Sequence, residues 1–322
     1  MRVAVLLVCA LLATPPTVSA QAWPNKPIRA VAPYPPGGGL DFVTRTVAQR
    51  LGEVLQQSIV VDNRTGASGT IGADAVAKSV PDGHTVLVAS PAEVLVGPIS
   101  GQKTAYDPER DLLPVTLIGE TPLVIAAHPS LSARTIQELI ALAKKEPGRH
   151  SYATPGGGSS MHYAGESFSA MAGIALQHIP YRGAAPAVTD LLGGQVKLGI
   201  VGMPPTVSHA KSGKLRILAV TSDRRSTTMP EVPAMAETAG FAGYRFTNWF
   251  AMYVPAKTPP AVAERLAAEI GKIVREPEIR SKLLAAGVEP VGNTPADFAA
   301  FLAAERRTYS KIAKERGIRA DE

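Results

Sequence analysis

The chain has 322 residues, 45% of them hydrophobic, and a formal net charge of +6. That length exceeds what one hydrophobic core comfortably organises, so two lobes are expected. The mild basic excess suits anionic solutes; with basic residues scattered, aromatics at 5% and no stripe of alternating Arg and Tyr or Phe, it excludes a nucleic-acid partner.

Residues 1–20 read as an export address. Arg2 supplies charge, residues 3–13 an apolar core too short to span a bilayer, and Val18-Ser19-Ala20 or Ala20-Gln21-Ala22 the small residues for cleavage after Ala20 or Ala22. Cys9, the one cysteine, lies inside this segment behind Val8, which does not suit a lipid-attachment box. The exported chain then has no thiol, so disulfides and thiol chemistry are excluded. No later apolar run is long enough to cross a bilayer. A soluble exported product without stable membrane insertion is expected.

Strand and helix signals then alternate. Residues 28–32, 58–61, 85–89 and 115–118 are short and branched-apolar, as buried parallel strands tend to be. Val43, Val47, Leu51, Val54 and Leu55 recur at helical spacing behind Asp41, which stands at an N-cap position. Ile71, Ala75, Val76 and Lys78 mark a shorter helix, closed by the turn Pro81-Asp82-Gly83. This is βαβαβ, hence an α/β fold with a doubly wound sheet. Residues 123–127 lead into a second unit. Thr135-Ile136-Gln137-Glu138 reads as a capping box opening a helix stopped by Pro147-Gly148. A strand at 151–154, a helix from Ser160 through Met171, a strand at 178–180, a helix at 186–192 and strands at 196–201 and 215–221 follow. The tail is helical, with Thr258 and Thr294 as caps and Val262, Leu266, Ile270, Phe298, Phe301 and Tyr309 as packing stripes against the first lobe. If the tail returns there, residues 23–123 plus 222–322 form lobe I and 124–221 form lobe II. The hinges then lie near 123–127 and 215–221.

Catalytic patterns fail. Gly66-Ala67-Ser68-Gly69 and Gly158-Ser159-Ser160 both miss the G-x-S-x-G elbow. Ser208-His209-Ala210-Lys211 matches S-x-x-K without its companion motifs. His162 and Glu166 lie one helical turn apart, but H-E-x-x-H and a third metal ligand are missing. A P-loop needs Lys and Ser/Thr after its glycines, and Leu40-Asp41 stand there instead. The reading is a non-enzyme with no cofactor and no metal.

Binding remains, and two glycine turns carry it. Pro36-Gly37-Gly38-Gly39 and Pro155-Gly156-Gly157-Gly158 each join a strand to a helix, where backbone N–H groups and the helix dipole favour an anion. Gly37 to Gly39 let the backbone approach a carboxylate closely, the alternative being a plain tight turn. Ser90 ends its strand with a hydroxyl to donate, or forms a turn. Ser159 and Ser160 divide between ligand contact and capping. Asp41 caps its helix, holds water or takes an ammonium. Tyr34 walls the pocket or packs at its edge. Arg64 and Arg182 suit an acid, although loop arginines are usually solvated. Trp249 reads as core.

Several runs resemble a known family in order along nearly the whole exported chain. They are Trp23-Pro24-Asn25-Lys26-Pro27-Ile28-Arg29, Tyr34-Pro35-Pro36-Gly37-Gly38-Gly39-Leu40-Asp41, Val61-Asp62-Asn63-Arg64-Thr65-Gly66-Ala67-Ser68-Gly69, Pro81-Asp82-Gly83, Ile179-Pro180-Tyr181-Arg182-Gly183, Asp190-Leu191-Leu192-Gly193-Gly194-Gln195-Val196, and Lys214-Leu215-Arg216-Ile217-Leu218-Ala219-Val220-Thr221. Together they resemble the solute receptors of tripartite tricarboxylate transporters, the TctC or Bordetella-uptake-gene receptors. The resemblance implies a two-lobed periplasmic binding protein-like type II fold, each lobe a doubly wound sheet flanked by helices. It implies a periplasmic monomer that captures a small carboxylate in a cleft and delivers it to membrane permease subunits. A sensor component for a signalling receptor, or a secreted hydrolase, is the alternative. Carried over by position, the cleft maps to Tyr34, Gly37, Gly38, Gly39, Asp41, Ser90, Gly158, Ser159, Ser160, Tyr181 and Asp190. Leu40, Pro91 and His84 depart from the family's usual residues, and the first two border the expected pocket.

Overall fold

The computed structural model describes residues 23–319; the expected export segment lies outside them. Strand β1 (Ile28–Ala32) leads through the first glycine turn into helix α1 (Gly39–Leu55), then β2 (Ile59–Asn63), α2 (Thr70–Ala77) and β3 (Thr85–Ala89). β1 lies parallel between β2 and β3, as the βαβαβ reading requires. A π-helical turn at Ala92–Val96 and short helices α3 (Gly97–Ile99) and α4 (Pro108–Asp111) follow. Strand β4 (Leu112–Ala127) then runs for 16 residues. Beyond it come α5 (Ile136–Lys145), β5 (Ser151–Thr154), α6 (Ser160–Ala172), β6 (Gln177–Pro180), α7 (Ala184–Leu192), β7 (Leu198–Gly202), α8 (Val207–Lys211) and β8 (Arg216–Val220). The chain closes with β9 (Thr247–Pro255), α9 (Pro260–Ile273), α10 (Pro277–Ala285), β10 (Glu289–Pro290) and α11 (Pro295–Arg316).

The sheet is mixed and runs through both halves of the chain. Its order is β2-β1-β3-β9-β4-β7-β5-β6, with β8 and β10 also on β4. The expected strands at 115–118 and 123–127 are one strand. From Leu112 to Pro122 it pairs antiparallel with β9, and from Leu123 to Ala127 with β7 and β8. A proline stands just before each of the two expected pieces. Pro114 falls at a register shift, and Pro122 sits where the partners change, both places that spare a ladder donor. β9 went unread, although its apolar and aromatic run Trp249-Phe250-Ala251-Met252-Tyr253-Val254 is buried throughout, as a central strand requires.

Packing explains the helices. Val43, Val47 and Leu51 of α1 share a core with Val262, Leu266 and Ile270 of α9. α11 does more than cover the first lobe. Phe298 packs edge-on against Trp249 and Tyr253, while Tyr309 packs edge-on against Tyr163 of α6 at 5.1 Å. Two caps differ from expectation. Thr135 accepts from the Glu138 N–H at 3.1 Å, but Glu138 reaches back to Arg134 rather than closing a box. Thr258 leaves the N-cap position of α9 to Pro259. Thr294 caps α11 through the Asp297 N–H, as read.

Candidate functional site

The first glycine turn is held from below by a buried carboxylate. Asp41 is 4% exposed and sits in the first turn of α1, three residues inside the observed N-cap, Gly38, rather than at the N-cap itself. It accepts from the Gly37 N–H (2.9 Å), from Arg45 Nε (3.0 Å) and from Asn63 Nδ2 (2.9 Å). Asn63 also donates to the Tyr34 carbonyl at 3.0 Å. Burial pushes the Asp41 carboxyl up, but Arg45, the Gly37 N–H and Asn63 outweigh it and hold it below the ordinary range. Asp41 is thus neither an N-cap nor a free acceptor for an ammonium; it ties the turn to β2. Gly37, at φ 84°, is in the left-handed region that favours glycine. Gly38 is the N-cap residue and no side chain caps α1. The N–H groups that begin a helix have no intrahelical partner, so this start is open to an anion.

Behind that turn lies a group missed in the sequence. Glu93 is 0% exposed, and it accepts from the Ser90 N–H (2.6 Å), the Ser90 hydroxyl (2.7 Å) and the Tyr34 hydroxyl (3.0 Å). The hydroxyl that Ser90 was expected to donate to a ligand is therefore engaged within the protein. The signal was present: Ser90-Pro91-Ala92-Glu93 has the S-x-x-E spacing of a capping box, in which the glutamate reaches back to the serine N–H.

The second turn is more completely satisfied. Ser159 accepts from the His162 N–H (3.3 Å) and donates to the Gly156 carbonyl (2.7 Å), so it caps α6. The Gly158 N–H donates to His162 Nδ1 at 3.1 Å. His162 stacks on His178 with centroids 3.8 Å apart, and His178 Nε2 meets Thr154 Oγ1 at 2.6 Å. Burial, then the neighbouring His162, pushes His178 down to about 3, so His178 stays uncharged at neutral pH. Ser160 is buried. Tyr181 donates to Asp190 at 2.7 Å, so these two expected ligand contacts bind each other. The open helix start on this side is that of α7, whose N-cap Gly183 (φ 118°) has no side-chain cap.

Pro204 links the first turn to the start of α6. A methyl on Gly39 would meet Pro204 Cγ at 3.7 Å and Phe250 Cζ at 3.6 Å; one on Gly202 would meet Pro204 Cδ at 3.7 Å and Met161 Cε at 3.9 Å. Met161 begins α6, and Gly156 faces the Tyr181 carbonyl. The structure thus groups Tyr34, Gly37 to Gly39, Asp41 and Ser90 on one side. Gly158, Ser159, Ser160, Tyr181 and Asp190 form the other, with Pro204 between. Arg64 pairs with Asp62 at 3.3 Å, and Trp249 is core. A groove along Pro27–Arg29 and Val60–Asp62 offers an anion little, because Arg29 is neutralised by Asp62 at 2.6 Å.

Comparison with known proteins agrees with this architecture. Residues 43–318 match the family model described as tripartite tricarboxylate transporter family receptor. The chain belongs to that family. It is 39% identical over 303 residues to Protein BugT of Bordetella pertussis, covering 94% of this chain and 93% of that one. An R. palustris protein solved with adipate superposes with a TM-score of 0.85 at 34% identity, over 92% of this chain and 99% of the other. MatC from Rhodopseudomonas palustris, solved with bound malate, gives 0.80 at 25% identity, over 90% and 99%. The periplasmic binding protein BugD gives 0.82 at 31% identity, over 92% and 99%. The fold is accordingly the two-lobed one of periplasmic solute-binding proteins. No helix among the described residues is long and apolar enough to cross a membrane.

The site also sets a pH dependence of stability. Burial, first among the causes in each case, pushes the carboxyls of Glu93 and Glu305 up to about 7. An unfolded glutamate titrates near ~4.3. The folded chain therefore retains these two protons between the two values, and that contribution is lost as pH rises through the folded value. Stability is expected to fall from about pH 4.5 to about pH 7 and to level off above it, by up to ~3–4 kcal/mol per group. Chemical denaturation across that window checks it, and E305Q should flatten the trend.

Proposed function

We propose that this chain is a periplasmic receptor that captures a small carboxylate between its two lobes and presents the closed form to the permease subunits of a tripartite transporter. It works without covalent chemistry. The observation that carries this reading is the uncapped start of α1 behind three glycines, set against Pro204 and the second turn. Solved relatives holding adipate and malate support the ligand class.

Closure needs hinges, and we place lobe I at 23–123 plus 222–322 and lobe II at 124–221. Ligand contacts that exist only in the closed form shift the equilibrium by their own differential affinity. Thr221 joins the crossings: its hydroxyl accepts from the Leu123 N–H (3.0 Å) and donates to the Phe246 carbonyl (2.5 Å). Thr221→Val keeps the shape and strands a buried donor. It is expected to cost ~1–3 kcal/mol of stability in urea denaturation and to change apparent affinity without touching the ligand.

A thermal-shift screen of the exported protein against carboxylates, sugars and metal ions tests the function. A ligand that binds only the folded form raises the melting temperature with concentration. A carboxylate should do so. A shift with sugars or metal ions and with no acid would overturn the reading.

A further inference from the structure

The wall behind the first glycine turn has a definite hydrogen-bond polarity, and Glu93 sets it. A serine or tyrosine hydroxyl carries one hydrogen, and an ionised carboxylate only accepts. Ser90 donates its hydroxyl hydrogen to Glu93 Oε2 at 2.7 Å. The Tyr34 hydrogen has two acceptors in reach, Glu93 Oε2 at 3.0 Å and the Ser68 carbonyl at 3.2 Å. Both hydrogens are thus taken by the protein, and the two oxygens, 3.4 Å apart, have only lone pairs left to offer. The groups facing Glu93 do not reverse this. Tyr106 donates to its main-chain carbonyl, Tyr253 faces it from β9, and Asp74 lies beyond Tyr106; among the described residues no arginine or lysine pairs with it. Gly69, the N-cap residue of α2, packs so closely that an added methyl would lie 3.1 Å from Oε2, which places the positive end of that helix beside the carboxylate.

We propose that Glu93 is a positioning residue for specificity: it turns the Tyr34 and Ser90 hydroxyls inward, so that the ligand seated against them is a carboxylate bearing a hydroxyl or amino donor, not an unsubstituted one. This rests on the carboxylate-binding reading above. The ligand's carboxylate takes the N–H groups at the helix start, and its donor substituent meets the lone pairs. An unsubstituted acid leaves those lone pairs unmatched. Protonation of Glu93, whose carboxyl burial pushes up to about 7, supplies a hydrogen from the acid itself and releases one hydroxyl to donate outward. Preference for donor-bearing ligands therefore rises with pH through that range.

Isothermal titration at about pH 8 with succinate, malate and aspartate, and with adipate, 2-hydroxyadipate and 2-aminoadipate, reads this directly. In the unaltered protein a hydroxy or amino acid should bind at least about tenfold more tightly than its unsubstituted parent. In Glu93→Gln the amide keeps an acceptor for the Ser90 N–H and offers its NH2 to both hydroxyls, which frees their hydrogens. The preference should then vanish or reverse. Between about pH 6.5 and 8.5 it should rise in the unaltered protein and stay flat in the variant. If Glu93→Gln does not fold, Tyr34→Phe removes one acceptor and should reduce the preference. A carboxylate that binds with an unmoved ratio in the variants, or equal binding of parent and substituted acid, overturns the proposal and leaves the carboxylate reading intact. Binding of none of the six overturns it too, and the broader screen then decides the reading beneath it.

Discussion

Asp41→Ala is expected to remove detectable ligand binding and to lower stability by ~2–3 kcal/mol. The carboxylate has three separate partners, and each loses something different. The Gly37 N–H loses its acceptor at 2.9 Å, and with it the contact that fixes the start of the three-glycine turn. Asn63 keeps the Tyr34 carbonyl but loses Asp41, so β2 and the turn are no longer tied through one side chain. Arg45 is half exposed and rehydrates, which limits its share of the loss. Binding suffers more than stability, because the helix-start donors act on an anion only while the turn holds them in place. Asp41→Asn separates the two effects. Its amide oxygen can still accept from Gly37, so it should retain most of the fold and recover part of the binding. Calorimetric titration and urea denaturation of both variants check this.

Trp249→Ala is expected to lower stability by ~3–5 kcal/mol, the range for emptying a large aromatic from a core. Trp249 is 0% exposed and packs edge-on against Phe298 and Phe301, each at 6.1 Å. Its indole N–H donates to Glu305 at 3.3 Å. Glu305 also faces Arg245, which pairs with Glu120 at 2.7 Å where β4 nears its change of partners. The substitution therefore opens a cavity under α11 and strips a buried carboxyl of a donor. Trp249→Phe keeps most of the ring packing and isolates the lost hydrogen bond, with an expected cost of ~1–3 kcal/mol. Denaturation midpoints of the two variants distinguish the contributions.

The local pattern was legible where neighbouring residues decide it. β1 and β3 stand where branched-apolar runs placed them, and the glycine turns join strand to helix as their composition requires. What sequence could not show was long-range pairing. β4 passes the prolines at 114 and 122 because one lies at a register shift and the other where the sheet changes partners. The internal partners of the site residues were hidden for the same reason. Asp41 had a local role at a helix start, and only the fold brings Asn63 from β2 to meet it. Tyr181 and Asp190 were matched to a ligand by position, and their hydrogen bond to each other is visible only in the fold. Glu93 was readable from Ser90-Pro91-Ala92-Glu93, but its meeting with Tyr34 needs β1 and β3 side by side.

Amide chemical-shift mapping of the isotope-labelled protein during titration with a carboxylate found by thermal shift tests the central claim most directly. Shifts should concentrate together at Gly38, Gly39 and Leu40 in the first turn and at residues 156–160 and 183–185 in the second half, saturating at one ligand concentration. Shifts confined to the β2 edge groove, or to one turn while the other stays unmoved at saturation, would contradict capture between the two.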